Sequence, residues 1–197
     1  MSDKDLAKSA FERLNLILAI CAIAISGASF YATYIQADAA EKQVKAATWP
    51  FLKFGTSNVN ENDELEVSFQ ILNGGVGPAH IKQFKLHYEG KDYTNINSWF
   101  KDCCAEGFPF IKRLADSPIK ETAGIPLTGT VTNSLISAGQ ESKFFRLLAT
   151  DENRILWDEI NVERHKLSAI ACYCSLLDNC YKTNFNDDPV EVNSCKD

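Results

Sequence analysis

The hydrophobic and polar positions of the chain follow one pattern up to about residue 48 and another beyond it. Residues 14–35, LNLILAICAIAISGASFYATYI, contain no charge, and no charged residue stands anywhere between Arg13 and Asp38. At 1.5 Å per residue this predicts a transmembrane helix of roughly 33 Å, enough for a hydrocarbon core of about 30 Å. A cleaved signal peptide is the rival reading, because Ala37-Asp38-Ala39 has the small-x-small form of a cleavage site. It ranks second: the run exceeds the usual signal core of roughly 7 to 15 residues, and the leading segment has no net positive charge. Helix-favouring residues continue over 36–48 until Pro50 stops them, which predicts a helical stalk about 15 to 20 Å long.

From residue 49 the period changes to two. Leu65, Val67, Phe69 and Ile71 alternate with Glu66, Ser68 and Gln70, the signature of a half-buried strand. The turn cluster Asn73-Gly74-Gly75-Val76-Gly77-Pro78 follows, and then Ile81, Phe84, Leu86 and Tyr88 on a second strand. The slip in register between Ile81 and Phe84 predicts a bulge. Further strands are expected over 50–55, 129–137, 143–148 and 166–175. Short helices are expected over 97–105 and over 150–163, the latter capped by Thr150 with Ile155, Leu156 and Ile160 on one face. Residues 106–128, with Pro109, Pro118, Pro126, Gly107 and Gly124, are expected to form a long loop. The fold class is therefore mainly β: a transmembrane helix and helical stalk followed by an immunoglobulin-like β-sandwich over 49–197 with short helical insertions.

Composition narrows the function. The 197 residues are 45% hydrophobic and 23% charged, which suits one globular domain plus an extra element. Twenty Lys and Arg face 26 Asp and Glu, a net charge of -6. Lys4, Lys8 and Arg13 balance Asp3, Asp5 and Glu12 in the first 35 residues, so the whole acidic excess lies downstream. A domain of that charge lacks the basic footprint of nucleic-acid binding. The glycine cluster fails as a phosphate loop, having no following Gly-Lys-Ser/Thr; it reads as a turn in which glycine supplies positive φ and Pro78 sets the exit. His80, His87 and His165 accompany no nucleophile elbow or HExxH frame, so no catalytic residue is assigned. Trp49, Trp99 and Trp157 are candidates for partner anchors or for the core, with Trp157 placed in the core and Trp49 at the junction of stalk and domain.

Cysteine usage sets the compartment. Cys21 lies in the span, while Cys103, Cys104, Cys172, Cys174, Cys180 and Cys195 lie beyond it. Six cysteines in one acidic domain imply up to three disulfides and an oxidising environment, which leaves residues 1–13 in the cytoplasm. Charge bias does not decide the orientation, since Lys42, Lys45 and Lys53 balance the three leading basic residues. A bond between Cys174 and Cys180 suits a hairpin, with a gain of about 2 to 3 kcal/mol by chain entropy. Cys172 then needs a distant partner, with Cys103, Cys104 and Cys195 available. Adjacent cysteines seldom bond each other, so Cys103 and Cys104 are expected to diverge to different partners. Cys195 would tie down an otherwise frayed acidic tail. The competing chemistry is a thiol-redox or soft-metal site built from Cys103-Cys104 and Cys172-x-Cys174, without a Cys-x-x-Cys motif to support it. No cofactor or metal is expected. Within the span, Ala24, Ala28 and Ala32 recur at every fourth position, a spacing that would let a second helix approach closely; Ile20 breaks the pattern one step earlier, and the reading ranked first is that alanine is simply common in spans.

The order of features is similar to that of a broad group of uncharacterised bacterial single-pass membrane-anchored proteins with a periplasmic β-sandwich. The features are one N-terminal span, an alanine-rich stalk ending in Thr48-Trp49-Pro50, the Asn73-Gly74-Gly75-Val76-Gly77-Pro78-Ala79 turn, and Cys172-Tyr173-Cys174-Ser175 with Cys180. The chain departs from that group at Tyr181, where a tryptophan often follows the cysteine, and in its paired Cys103-Cys104. The resemblance implies an inner-membrane protein with a periplasmic domain, and no reaction. The expected function is a protein-interaction module, a subunit of an envelope complex, in contact with membrane lipid and with a protein partner or a second copy through its span. The alternative is a thiol-based redox or soft-metal-handling protein.

This topology is testable: a periplasm-dependent reporter fused after Asp197 is expected to be active, and the mature chain to retain residues 1–35. A reporter active only in the cytoplasm, or a mature N-terminus at Ala40, contradicts it.

Overall fold

The structure, a computed structural model, describes residues 3–116 and 124–196. The chain divides into two compact units, Met1–Ala47 and Thr48–Asp197. In the first, the expected span and stalk form one unbroken helix, α1 (Asp3–Ala47), which also takes in residues before Arg13. By length and composition it is long and apolar enough to cross a membrane. Residues 11–44 are exposed throughout. Its hydroxyls turn back on their own helix, Ser26 Oγ donating to the Ala22 carbonyl at 2.8 Å and Thr33 Oγ1 to Ser29 at 2.9 Å. Neither therefore needs a partner outside the helix.

Among the described residues, the second unit is built from ten strands and three further α-helices. Its elements are β1 (Leu52–Ser57), β2 (Glu66–Asn73), β3 (Ala79–Tyr88), β4 (Lys91–Tyr93), α2 (Ile96–Cys103) and α3 (Phe108–Asp116). They continue with β5 (Leu127–Thr128), β6 (Leu135–Ile136), β7 (Glu141–Leu148), α4 (Arg154–Glu163), β8 (Ser168–Cys174), β9 (Cys180–Thr183) and β10 (Val190–Val192). One sheet runs β1-β2-β7-β5 and the other β10-β9-β8-β3-β4, with β6 also on β3. Neighbouring strands in both sheets run antiparallel. Strands dominate this unit; over the whole chain the 45 residues of α1 tip the balance towards helix, so mainly β describes only the unit beyond Ala47.

Two bulges shape the core. On β3 the register shifts between Ile81 and Gln83, as the sequence slip predicts, so Ile81 and Phe84 both turn inward. On β7 the shift falls opposite Phe69 and Gln70 and leaves Phe144 as an extra residue, which lets Phe144 and Phe145 both be buried although they are consecutive. Phe144 meets Phe84 of the other sheet edge-on at 5.2 Å, while Phe145 lies 5.0 Å from Phe69 and 5.3 Å from Phe100 of α2. The sheets and α2 thus share one apolar core.

Asn73, at the end of β2, is wholly buried and its side chain joins three other segments. Its Oδ1 accepts from the Phe51 and Gly75 amides at 3.2 and 3.0 Å. Its Nδ2 donates to the Gly77 and Ile136 carbonyls at 2.8 and 3.0 Å. The Trp49 carbonyl accepts from the Val76 and Gly77 amides, which closes residues 48–51 onto the glycine turn. This corrects the role expected of those glycines. Gly74, Gly75 and Gly77 do not have positive φ; a Cβ on Gly75 would collide with the Phe51 backbone, and one on Gly77 with that of Thr48. Gly75 and Gly77 are required for close approach of two backbones, whereas Gly74 has room for a Cβ.

Several element boundaries also differ from expectation. Residues 106–128 are not all loop, because Phe108–Asp116 is helical; residues 117–123 lie outside the described residues. The Glu159 carboxylate of α4 accepts from the Glu106 and Gly107 amides and so holds the turn that leads into α3. The strand expected over 129–137 shrinks to β6, and β5 forms earlier. Thr150 is not the cap of α4: the helix starts after Asn153, whose buried amide accepts from Thr150 N and donates to the Gly124 and Leu148 carbonyls. The buried face of α4 is Leu156, Trp157 and Ile160, while Ile155 is exposed.

Replacing Asn73 by Ala leaves several buried backbone groups without partners, so a loss of about 3 kcal/mol is expected in urea unfolding followed by tryptophan fluorescence. Gly77→Ala is expected to be at least as damaging. Gly74→Ala, with its nearest neighbour at 3.8 Å, is expected to stay within about 0.5 kcal/mol of the parent.

Candidate functional site

The chemistry of the sequence converges on one end of the β8–β9 hairpin. On β8, Cys172 and Cys174 are two residues apart and share a face of the strand. Cys174 and Cys180 occupy opposed positions across the hairpin and are bonded, as its geometry suggests. Cys172 takes Cys195, one of its three open partners. The tail is thereby held, with β10 paired on β9 and Gln83 Nε2 donating to the Cys195 carbonyl at 2.9 Å. The two bridges touch: Cys174 Sγ lies 3.8 Å from Cys195 Sγ. Cys174, Cys180 and Cys195 place their sulfurs within 4.8 Å of one another, a spacing a soft metal could use. All three are engaged in disulfides, however, and the ligand such an ion needs is the thiolate.

Cys103 and Cys104 do not diverge as expected; they are bonded to each other. Cys103 closes α2, and Cys104 leaves helical geometry at φ -134° and ψ 60°, a change of direction that brings the two neighbouring side chains together. The amide of Cys104 still donates to Phe100, and its carbonyl accepts from Phe108 N at the start of α3. This bridge therefore marks the joint between two helices, and Cys104 is fully buried there. The Cys103-Cys104 and Cys172-x-Cys174 pairs are not brought into one site: the first closes α2 and the second belongs to the β8–β9 hairpin. Cys21 is free and exposed on α1.

A second feature gave no motif in the sequence. A cleft of about 260 Å³ has Phe84, Leu86 and Phe144 as its floor. Exposed Thr94, Asn95, Asn97, Thr128 and Thr130 form its rim, and among the described residues no charged one lines it. Tyr93 closes one wall. Its hydroxyl donates to Asp102 at 2.6 Å, and Lys91 donates to the same carboxylate oxygen at 3.0 Å. Burial, followed by the hydrogen bond to Asp102, pushes the Tyr93 hydroxyl up to about 12. The Tyr93 hydrogen bond and then Lys91 hold Asp102 below the ordinary carboxylate range. This pair fastens β4 to α2 beside the cleft. The Thr128 side of the cleft belongs to β5, the last strand of its sheet among the described residues.

The remaining candidates have separate settings. His87 Nδ1 pairs with Asp92 at 2.8 Å, and that hydrogen bond is the main cause of the lowered Asp92 pKa. His80 faces Lys82 at 2.9 Å, and His165 lies in the 3-10 turn Arg164–Lys166. Trp99 and Trp157 are core residues, whereas Trp49 is 40% exposed and stacks at a tilt on Phe51. Ala24, Ala28 and Ala32 lie exposed on one face of α1. Compared with known protein families, with curated proteins and with solved structures, the chain matches none.

Alkylation of the unreduced, denatured protein is expected to label Cys21 alone. Reduction is then expected to lower stability by about 2 to 5 kcal/mol for loss of a structural bridge. Label on any of the other six before reduction contradicts the pairing described.

Proposed function

We propose that the chain is a membrane-anchored interaction module with an immunoglobulin-like sandwich. In this reading α1 crosses the bacterial inner membrane once, residues 1–13 are cytoplasmic and the sheet-bearing unit is periplasmic, as in the group the sequence resembles. Six cysteines at bonding distance support the oxidising side. We assign the protein no reaction and no cofactor.

The observation that carries the binding role is the uncharged cleft, with its aromatic floor and its threonine and asparagine rim. An apolar floor favours desolvation of a side chain, and neutral hydroxyls and amides offer hydrogen bonds without a charge to neutralise. Beside them β5 ends its sheet among the described residues, and in this reading an extended segment adds main-chain pairing there. The ligand that suits this combination is an extended stretch of a partner protein with neutral side chains, in an envelope complex that α1 joins through its alanine face.

Thr130→Trp would fill the cleft from its rim. In native membranes it is expected to reduce recovery of the co-purifying protein by roughly tenfold, about 1.4 kcal/mol of binding. Glu152→Trp, on an exposed residue outside the cleft lining, is expected to leave recovery unchanged. Equal recovery with both variants contradicts the assignment.

A further inference from the structure

The two bridges at the β8–β9 hairpin start from one face of β8 and meet: Cys174 Sγ rests 3.8 Å from Cys195 Sγ, which is van der Waals contact for two sulfurs. The two bonds open towards different surroundings. Cys180, itself 7% exposed, sits at the base of the exposed Leu176-Leu177 turn, with its sulfur 3.5 Å from the Asp178 carbonyl oxygen. Cys172 lines a separate cavity of about 130 Å³ together with Lys85, Lys182, Asp92 and Gln83. Lys182 is its cross-strand partner on β9, and Lys85 shares its charge with Asp92 at 3.8 Å.

We propose that these four cysteines form a thiol–disulfide relay in which a thiolate released at one bridge is passed to the other through the Cys174–Cys195 contact. The co-reactant is an external thiolate, from a small dithiol or from a protein dithiol. Its attack on Cys180 Sγ forms a mixed disulfide there, breaks Cys174–Cys180 and leaves the electron pair on Cys174. The Cys174 thiolate attacks Cys195 Sγ, forming Cys174–Cys195, breaking Cys172–Cys195 and leaving the pair on Cys172. The second step exchanges one disulfide for another with no net oxidation. The result is to move the thiolate from the hairpin to the cavity. There Lys182, the cross-strand partner of Cys172, supplies a cation that favours the charged sulfur. Opened from the other side, by attack on Cys172, the freed Cys195 thiolate attacks Cys174 Sγ, forming Cys174–Cys195, breaking Cys174–Cys180 and leaving the pair on Cys180.

The relay is independent of the binding role of the cleft. Its test is peptide mapping of full-length variants in detergent, quenched in acid and then alkylated. Cys180→Ser leaves Cys174 without its partner, and exchange is expected to place label on Cys172 as well, at a Cys172:Cys174 ratio of about one or more. Adding Lys182→Ala is expected to lower that ratio. Cys172→Ser is expected to label Cys180 in addition to Cys195. The unaltered protein, treated with substoichiometric dithiothreitol, is expected to yield a Cys174–Cys195 cross-linked peptide, a readout that needs no substitution. Label confined to Cys174 in the first variant and to Cys195 in the second, with no such cross-linked peptide in the parent, overturns the relay.

Discussion

The sheet-bearing unit depends on a single buried amide. Asn73 satisfies both its oxygen and its nitrogen with backbone partners, and those partners belong to the entering chain, the glycine turn and β6. Its own backbone adds the 139–140 turn, through bonds with Gln140 and Gly139. A buried polar group is tolerated when every hydrogen-bonding position is used, and it then specifies one arrangement against all others. An apolar residue of the same size would fill the space but would leave the first strand, the turn and the second sheet unregistered with one another. The glycines beside it reflect the same constraint, since the backbones that Asn73 ties together approach too closely for a side chain between them.

The aromatic core answers a different need. Two sheets and a helix must be covered by few side chains, and the unit does this with rings from each: Phe69, Phe84, Phe144, Phe145, Trp99 and Phe100. The bulge at Phe144 is what lets one strand supply two consecutive rings to that core. Because Phe84 and Phe144 are also the floor of the uncharged cleft, the surface proposed to bind a partner is an extension of the packing that holds the sheets together. A ligand there meets a rigid base, with adjustment left only to the rim.

The features legible in the sequence are those with a local period. Alternation over 65–71 and the slip between Ile81 and Phe84 place β2 and the bulge of β3, although β2 is not half-buried as the alternation implies: Glu66 and Ser68 are buried on its second face, and Leu65 is exposed ahead of it. The apolar run of α1 is equally local, and the Cys174–Cys180 bond is implied by hairpin spacing. Long-range features, and those that depend on a competing group, escape. Cys103 and Cys104 pair because the chain turns sharply where α2 ends, which no count of cysteines reveals. Phe108–Asp116 is helical with Gly107 and Pro109 at its start, residue types that also read as loop but suit a first helical turn, and the turn before it is held by Glu159, about fifty residues away. Thr150 has the residue type of a helix cap, yet Asn153 stands at that position because its amide also ties Gly124 and Leu148. The cleft has no sequence signature, being assembled from residues of β3, β4, α2, β5 and β7 and the loops beside them.

The docking of residues 48–51 has a consequence for where this unit can be cut. Secondary structure alone would begin it at Leu52, the first residue of β1. A fragment starting there would lack the Phe51 amide and the Trp49 carbonyl, leaving one Asn73 contact and the turn amides of Val76 and Gly77 without their partners. The space that Gly75 and Gly77 keep clear would then be empty. A fragment that preserves the native contacts must begin no later than Thr48, directly after the last residue of α1. The smallest autonomous piece of this protein is thus defined by a three-dimensional fit between an extended leader and a glycine-lined groove, and trimming by strand boundaries would remove part of its fold.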